Sequence, residues 1–202
     1  MDKNNNDKKV NVEEIIHFLN ISSFTYDDFV EFLNYKYGKV SQPYFHEISY
    51  VHYFCGKNKQ IKKYKQSKNG LYVHHVAENV FQNLNNANAI AANPCFKCLP
   101  DYGFKYQMPN QLVYCNLIEH TLLHLLIKVD NCNYFKGYDS LNGKIKKWFI
   151  NGVEPGPDSS ERKFYNASKI GKEEAENLEA KFCEFIKLKE TNNLSLKNQY
   201  SD

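Results

Sequence analysis

The 202-residue sequence predicts an α+β fold. Three observations support this prediction. NVEEIIHFLN and TYDDFVEFLNYKYG have helical apolar spacing, whereas GLYVHHV and QLVYC have the aromatic and β-branched content of strands. NLIEHTLLHLLIKV is apolar on nearly every side, as a buried helix is. We therefore expect two short strands and a helix at the centre, with further N-terminal helices and strands and a C-terminal helix around them.

The length and composition fit one compact domain spanning residues 1–202. Hydrophobic residues make up 42% of the chain, which is enough for a packed interior at this length. Residues 1–9 and 190–202 are polar and are expected to be disordered tails. The sequence has no signal-peptide pattern and no membrane-spanning run, so we expect a soluble, cytoplasmic protein with reduced cysteines. Export without a cleavable signal is the alternative.

The N-terminal region, 10–67, is predicted to contain two helices followed by strands. Thr25 and Asp28 form a capping box for the second helix, and Gly38 ends it. From about residue 43 the segment YFHEISYVHYF favours strands. A lysine run follows, and it is either a solvated face or a phosphate-binding surface, since the net charge of the whole chain is only +3. Its members are Lys57, Lys59, Lys62, Lys63, Lys65 and Lys68.

The core region, 68–130, is predicted to hold both central strands and the apolar helix. GLYVHHV follows the turn KNG, and QLVYC comes after an excursion over residues 79–109, with or without one helical turn. Asn116 and Glu119 are placed to form a capping box for the helix.

The C-terminal region, 131–189, is predicted to be irregular until a helix from Lys172 to Lys189. The apolar stripe of that helix is Ala175, Leu178, Phe182, Phe185 and Ile186. Before it, the segment KIKK (144–147) adds positive charge.

Four histidines of the core region form the candidate site. His120 and His124 lie four residues apart on the helix, so they share one face and can chelate a metal ion. The alternative is that each is a core histidine with its own hydrogen-bond partner. His74 and His75 are adjacent in a strand, so their side chains point to opposite faces. A buried, unpaired imidazole costs about 1–3 kcal/mol, and a metal ion would be a sufficient partner.

The order of these residues resembles that of the HNH nucleases of the ββα-metal superfamily, including the nuclease domains of DNase colicins. The resemblance covers roughly residues 68–128 and rests on VHHVAEN and QLVYCNLIEHTLLH. It implies a ββα-metal motif of two short antiparallel strands and a helix. It also implies that His74, His120 and His124 bind a divalent metal, while His75 is the general base that activates water to hydrolyse DNA. An enzyme of the restriction or phage and mobile-element type fits this size.

The resemblance leaves several roles open. The middle Asn of the HNH motif, which orients the general base, corresponds in this sequence to Asn110 or Gln111. Glu78 is either a residue that orients a ligand histidine or an exposed loop residue. The lysine run would contact DNA.

The identity of the metal is also open. Three imidazoles suit zinc, nickel, cobalt or manganese, whereas the family is known for activity with magnesium, so zinc and magnesium are the leading candidates. A second, structural zinc could be held by four cysteines, Cys95, Cys98, Cys115 and Cys132.

Three functions are therefore considered. The first is the metal-dependent endonuclease, as a homodimer if it cuts both DNA strands. The second is a non-catalytic zinc module that binds nucleic acid or a protein partner. The third is another metallohydrolase such as a peptidase, although HHVAE lacks the helical His-Glu-x-x-His arrangement. The remaining histidines, His17, His46 and His52, belong to no comparable cluster.

Overall fold

The structure, a computed structural model, describes residues 10–65, 70–131 and 136–199. The predicted tail 1–9, Lys68, Cys132 and most of the KNG turn lie outside the described residues. Within the described ranges the chain is helix-rich with one small antiparallel sheet, which confirms the α+β class. The helices are α1 (Val12–Asn20), α2 (Tyr26–Tyr37), α3 (Glu47–Phe54), α4 (Ala87–Ala92), α5 (Pro94–Lys97), α6 (Leu117–Asn131), α7 (Lys136–Ile145), α8 (Arg162–Ala167) and α9 (Lys172–Gln199), and the strands are β1 (Tyr72–His75) and β2 (Leu112–Cys115).

The two N-terminal helices form as predicted because each has a polar cap and an apolar face. The Asn11 side chain caps α1, whose buried face is Val12, Ile15 and Leu19. Both hydrogen bonds of the capping box between Thr25 and Asp28 are present at the start of α2. Gly38 follows the end of α2 with a φ of 75°, a conformation that favours glycine.

The predicted strand over YFHEISYVHYF is wrong. Phe45 makes one bridge to Lys63, and the chain then forms α3. The aromatic content that favours a strand serves a helix here, because Tyr50 and Phe54 lie one turn apart and their rings contact at 4.7 Å. Tyr50 and Phe45 are both fully enclosed in a second, smaller hydrophobic cluster. Packing into this cluster therefore outweighs the local β propensity.

β1 and β2 pair antiparallel, with His74 opposite Val113 and His75 opposite Leu112. The two faces of the sheet belong to different clusters. Val113 packs into the main core around α6, and Leu112 packs into a small cluster on the other side. The alternation of strand side chains thus sends His74 toward α6 and His75 away from it.

The central helix α6 is enclosed by α2, α7, α9 and the sheet. The predicted capping box is present: the Asn116 backbone N–H donates to Glu119 Oε2 at 2.8 Å, and the Glu119 N–H donates to Asn116 Oδ1 at 3.0 Å. The helix is buried on most sides, as its sequence predicts. Among the described residues, no helix combines the length and the apolar character required to cross a lipid bilayer.

The C-terminal region is more helical than the sequence predicts. In place of irregular chain, α7 runs into a wider helical turn, Lys146–Ile150. α9 continues past Lys189 to Gln199, so most of the expected tail 190–202 is helical. That segment contains no Gly or Pro that would end a helix. The apolar stripe of α9 is confirmed, since Ala175, Leu178 and Phe182 are fully buried.

We predict that Glu119→Ala lowers the free energy of unfolding by about 3 kcal/mol, because it breaks a buried ion pair. Glu119 lies 2.8 Å from Lys36 Nζ and accepts a hydrogen bond from the Tyr37 hydroxyl at 3.0 Å. Chemical denaturation measures the change.

The matched control is Glu161→Ala, which removes the half-exposed pair with Lys144 and should cost less than about 1 kcal/mol. Equal losses in the two variants would contradict the structural importance of the Glu119 pair.

Candidate metal centre

Three imidazoles converge between β1 and α6. The ring centroids of His74 and His120 are 5.2 Å apart, those of His74 and His124 are 5.1 Å apart, and those of His120 and His124 are 4.9 Å apart. One nitrogen of each ring lies within 4.8 Å of a nitrogen of the other two. This group, which we call the histidine triad, could hold a metal ion, as the sequence predicts.

Tyr26 fixes the tautomer of His74. Its hydroxyl donates to the Val76 carbonyl at 2.9 Å, and its oxygen lies 2.8 Å from His74 Nε2. Because the Tyr26 hydroxyl donates its proton to the carbonyl in a hydrogen bond, the Tyr26 oxygen must accept a hydrogen bond from the Nε2–H of His74. His74 Nδ1 therefore carries the lone pair. Among the described residues Nδ1 has no hydrogen-bond partner, and neither have the Nδ1 atoms of His120 and His124.

Gly137 on α7 packs directly against His124. A Cβ atom placed on Gly137 would lie 2.3 Å from His124 Nδ1, which is closer than any real contact. The other ring nitrogen, Nε2, lies 3.5 Å from Glu78 Oε2. Gly137 therefore leaves space for the His124 ring and directs Nε2 toward the centre of the site.

Glu78 is buried, so the reading of an exposed loop residue is wrong. It lies in the 3₁₀ turn Val76–Asn79 that follows β1, and it is 7% exposed. Its Oε2 is 3.7 Å from His74 Nδ1, and its Oε1 is 3.9 Å from His75 Nδ1. These distances are too long for direct hydrogen bonds. Burial raises the pKa of Glu78 to about 7, and a hydrogen bond from the Leu84 backbone opposes this shift.

The histidine triad is held in its metal-binding protonation state. Burial, reinforced by the neighbouring rings, lowers the pKa values of His74 and His120 well below their usual range. Burial also lowers the pKa of His124 to about 4. All three rings are therefore neutral at physiological pH, and only a neutral imidazole can donate a lone pair to a metal.

His75 has a separate environment on the opposite face of the sheet. Its Nε2 lies 2.9 Å from Gln107 Oε1, and Gln107 Nε2 donates to the Leu84 carbonyl at 3.2 Å. Because that carbonyl can only accept, the Gln107 amide oxygen must face His75 and accept from Nε2–H. The lone pair of His75 is then on Nδ1, toward Glu78. Burial lowers the pKa of His75 to about 4.

The residue that hydrogen-bonds the His75 ring is therefore Gln107, whereas the orienting role predicted for Asn110 or Gln111 stays a prediction. Asn110 is exposed and Gln111 is half-buried, and both lie in the turn Pro109–Gln111 before β2. The HNH motif places its middle Asn a fixed number of residues before His120, and that count leads to Asn110 or Gln111. Gln107 lies further back because the turn Pro109–Gln111, which the sequence analysis does not predict, separates it from β2.

The five described lysines of the run are exposed, and Lys63 is separated from His75 by the Tyr44 ring. Its Nζ lies 5.0 Å from the Tyr44 ring centroid, and the Tyr44 ring lies 4.6 Å from the His75 ring. The KIKK segment is less available for an anion, since Lys144 pairs with Glu161 and Lys146 with Glu179.

The proposed cysteine site does not assemble among the described residues. Cys95 and Cys98 are exposed, whereas Cys115 is buried at the end of β2. In the described part of the chain, the histidine triad is the one group of three residues found close enough to hold a metal. Cys132 lies outside the described residues. His17, His46 and His52 lie outside the triad, and His46 stacks on Tyr64 with ring centroids 3.7 Å apart.

Three residues of the site were not predicted: Tyr26, Gln107 and Gly137. Tyr26 and Gln107 contact their histidines across 48 and 32 residues of chain, which no local pattern indicates. Gly137 had a usable signal, because it lies in a segment whose apolar residues Tyr138, Leu141 and Ile145 follow helical spacing. A glycine inside a helical pattern often marks a close contact.

We predict that Tyr26→Phe weakens divalent-metal binding by about 10- to 100-fold, because it frees the His74 ring to change tautomer. Isothermal titration with zinc after chelator treatment measures the affinity. Tyr35→Phe is the control, since Tyr35 is 91% exposed. Unchanged zinc affinity in Tyr26→Phe would refute the orienting role of the hydroxyl.

We also predict that Gly137→Ala weakens metal binding by at least about tenfold, because the new methyl group displaces the His124 ring. Gly143→Ala, on the same helix, meets nothing within 4 Å and should leave metal binding intact while raising stability by up to about 1 kcal/mol. Zinc titration and thermal unfolding distinguish the two variants. Equal zinc affinities would mean that Gly137 does not position His124.

Comparisons with known proteins leave the site to be interpreted from its own geometry. No protein-family model matches the chain, and no match was found among curated proteins or solved structures. The likeness to HNH nucleases therefore rests on the residues of the two strands and α6.

Proposed function

We propose that this chain is a divalent-metal-dependent endonuclease of the HNH type that hydrolyses phosphodiester bonds of DNA. One observation carries the proposal. The adjacent residues His74 and His75 lie on opposite faces of β1, where His74 joins the histidine triad and His75 keeps an unprotonated Nδ1. A ligand and a general base need this division of directions. The order β1, β2, α6 supports a ββα-metal arrangement at the centre of the fold.

Each residue has a distinct part in the proposed reaction. A bound divalent ion would stabilise the charge that develops on the scissile phosphate and the leaving oxygen. Tyr26 holds His74 with Nδ1 free, and α6 presents His120 and His124 one turn apart. Gln107 Oε1 accepts a hydrogen bond from the Nε2–H of His75, so Nδ1 can take a proton from the attacking water. The low pKa of His75 keeps it unprotonated at physiological pH.

The lysines suit a phosphate backbone as the partner. Lys57, Lys59, Lys62, Lys63 and Lys65 are exposed in the segment between α3 and β1, and the Tyr44 ring lies between Lys63 and His75. The one arginine, Arg162, is engaged with Glu154 at 2.8 Å. Reading of guanine by arginine is therefore not available, and base contacts would fall to Lys, Asn or Gln side chains. A restriction enzyme or a phage or mobile-element nuclease fits this proposal.

One observation favours a second candidate, the non-catalytic zinc module. His74 is only 1% exposed, and Glu78 lies beside it with a carboxylate that could close the coordination sphere. A closed sphere is typical of structural zinc. The two candidates differ in whether His75 matters, since a structural ion does not need a base on the other face of the strand.

We predict that wild-type protein cleaves plasmid DNA with a divalent metal, and that His75→Ala lowers the rate by about 100- to 10,000-fold while keeping metal binding. His124→Ala should lose both metal binding and cleavage, because it removes a member of the histidine triad. His17→Ala is the control, since His17 is exposed on α1. Gel assays of plasmid cleavage, run with zinc, magnesium and manganese beside zinc titrations, supply the measurements.

Two outcomes would count against the proposal. Cleavage by His75→Ala at the wild-type rate would remove His75 as the general base. A wild-type protein that binds metal yet cuts neither plasmid nor single-stranded DNA with any of these metals would favour the zinc module.

A further inference from the structure

We infer that Glu78 is a fourth protein ligand of the metal centre, binding through Oε2 beside the histidine triad. The inference rests on the metal centre of the proposed function and does not depend on the nuclease reaction. It assigns a role to a carboxylate that is enclosed between the triad and His75.

The spacing of the donor atoms fits shared coordination better than hydrogen bonding. Four ligands about 2.0–2.2 Å from one ion, at the corners of a tetrahedron, lie about 3.3–3.6 Å from one another. Glu78 Oε2 lies 3.5 Å from His124 Nε2 and 3.7 Å from His74 Nδ1. A hydrogen bond would bring the atoms to about 2.7–3.2 Å. Glu78 Oε2 therefore lies at about the separation of two ligands of one ion from each of these two nitrogens.

The same two nitrogens are the ones that the protein leaves open for a metal. Tyr26 occupies Nε2 of His74, so Nδ1 is the available donor. Gly137 covers Nδ1 of His124, so Nε2 is the available donor. Two independent contacts, on α2 and α7, therefore direct lone pairs toward the oxygen of Glu78.

The charge balance of the site also calls for a cation. Glu78 is 7% exposed, and among the described residues the side-chain nitrogens within 4 Å of its carboxylate belong to the imidazoles of His74, His75 and His124. A buried carboxylate without a compensating charge is costly. A divalent ion shared with the histidine triad would supply that charge. A hydrogen bond between neutral groups in the core would not.

The local chain explains how Glu78 reaches this position. β1 ends at His75, and the 3₁₀ turn Val76–Asn79 folds the chain back so that Glu78 lies beneath His74, four residues earlier. The Tyr26 hydroxyl anchors this turn through the Val76 carbonyl at 2.9 Å. One hydroxyl thus holds both His74 and the turn that carries Glu78.

The inference narrows the class of metal. Three imidazole nitrogens and one carboxylate oxygen suit zinc or cobalt, whereas magnesium requires octahedral oxygen ligands. It also constrains substrate binding. A phosphate oxygen would have to enter as a fifth donor or replace Glu78, whose other oxygen already faces His75 Nδ1 at 3.9 Å.

Cobalt(II) and zinc titrations of the full chain test the inference. The variants are Glu78→Gln, which keeps the shape, Glu78→Asp, which keeps the charge on a shorter arm, and Glu47→Gln as an exposed control on α3. We expect Glu78→Gln to bind zinc at least about 100-fold more weakly. This loss of affinity exceeds the one typical of a residue that only hydrogen-bonds a metal ligand. Its cobalt complex should show a shifted visible absorption spectrum as water replaces the carboxylate. Glu78→Asp should recover part of the affinity.

The outcomes separate the two proposals. If Glu78→Gln and Glu78→Asp, shown to be folded by circular dichroism, match the wild type in zinc affinity and cobalt spectrum, Glu78 is not a ligand and the histidine triad stands alone. If the wild type binds neither ion, the metal centre itself is wrong, and the inference is wrong with it. If Glu78→Gln does not fold without metal and zinc fails to restore its fold while Glu78→Asp binds zinc as the wild type does, the role of Glu78 is structural and the inference is overturned.

Discussion

Three buried imidazole rings that converge between β1 and α6 are the constraint that the rest of the structure serves. Each unpaired polar atom in an apolar interior costs free energy, and the described part of the chain supplies no hydrogen-bond partner for the Nδ1 atoms of His74, His120 and His124. The apolar sides of α6, the pairing of β1 with β2 and the packing of α7 all bring these rings together and exclude water. A cation bound by the three rings would offset the free energy that their burial costs.

The two adjacent histidines of β1 show how one arrangement can serve two chemical roles. In both His74 and His75 the Nε2–H donates a hydrogen bond to a neutral oxygen. The acceptor is the Tyr26 hydroxyl for His74 and the Gln107 amide for His75. Both Nδ1 lone pairs are therefore available, and Glu78 lies near each of them. The Leu84 backbone links His75 to Glu78. Its carbonyl accepts a hydrogen bond from Gln107, and its N–H donates one to the Glu78 carboxylate.

The sequence was sufficient where the determining pattern is local. Caps and apolar spacing predicted α1, α2 and α6, and the histidine spacing predicted the pair of His120 and His124, to which the resemblance added His74. Prediction failed where tertiary packing decides. The aromatic residues of α3 pack as a helix against a second cluster despite their β propensity, and α7 was missed because glycine and asparagine mask its apolar stripe. Tyr26 and Gln107 could not be found, since their pairing with the histidines depends on contacts between distant segments.

The enclosure of α6 affects when the centre can form during synthesis. All three histidines of the triad precede α9 in the chain, yet α9 supplies part of the apolar wall of the core around α6, including the fully buried Phe182. A growing chain would therefore expose its imidazoles outside the ribosome before that wall exists. The closed environment that makes the rings neutral and selective would be complete only after the last helix has docked.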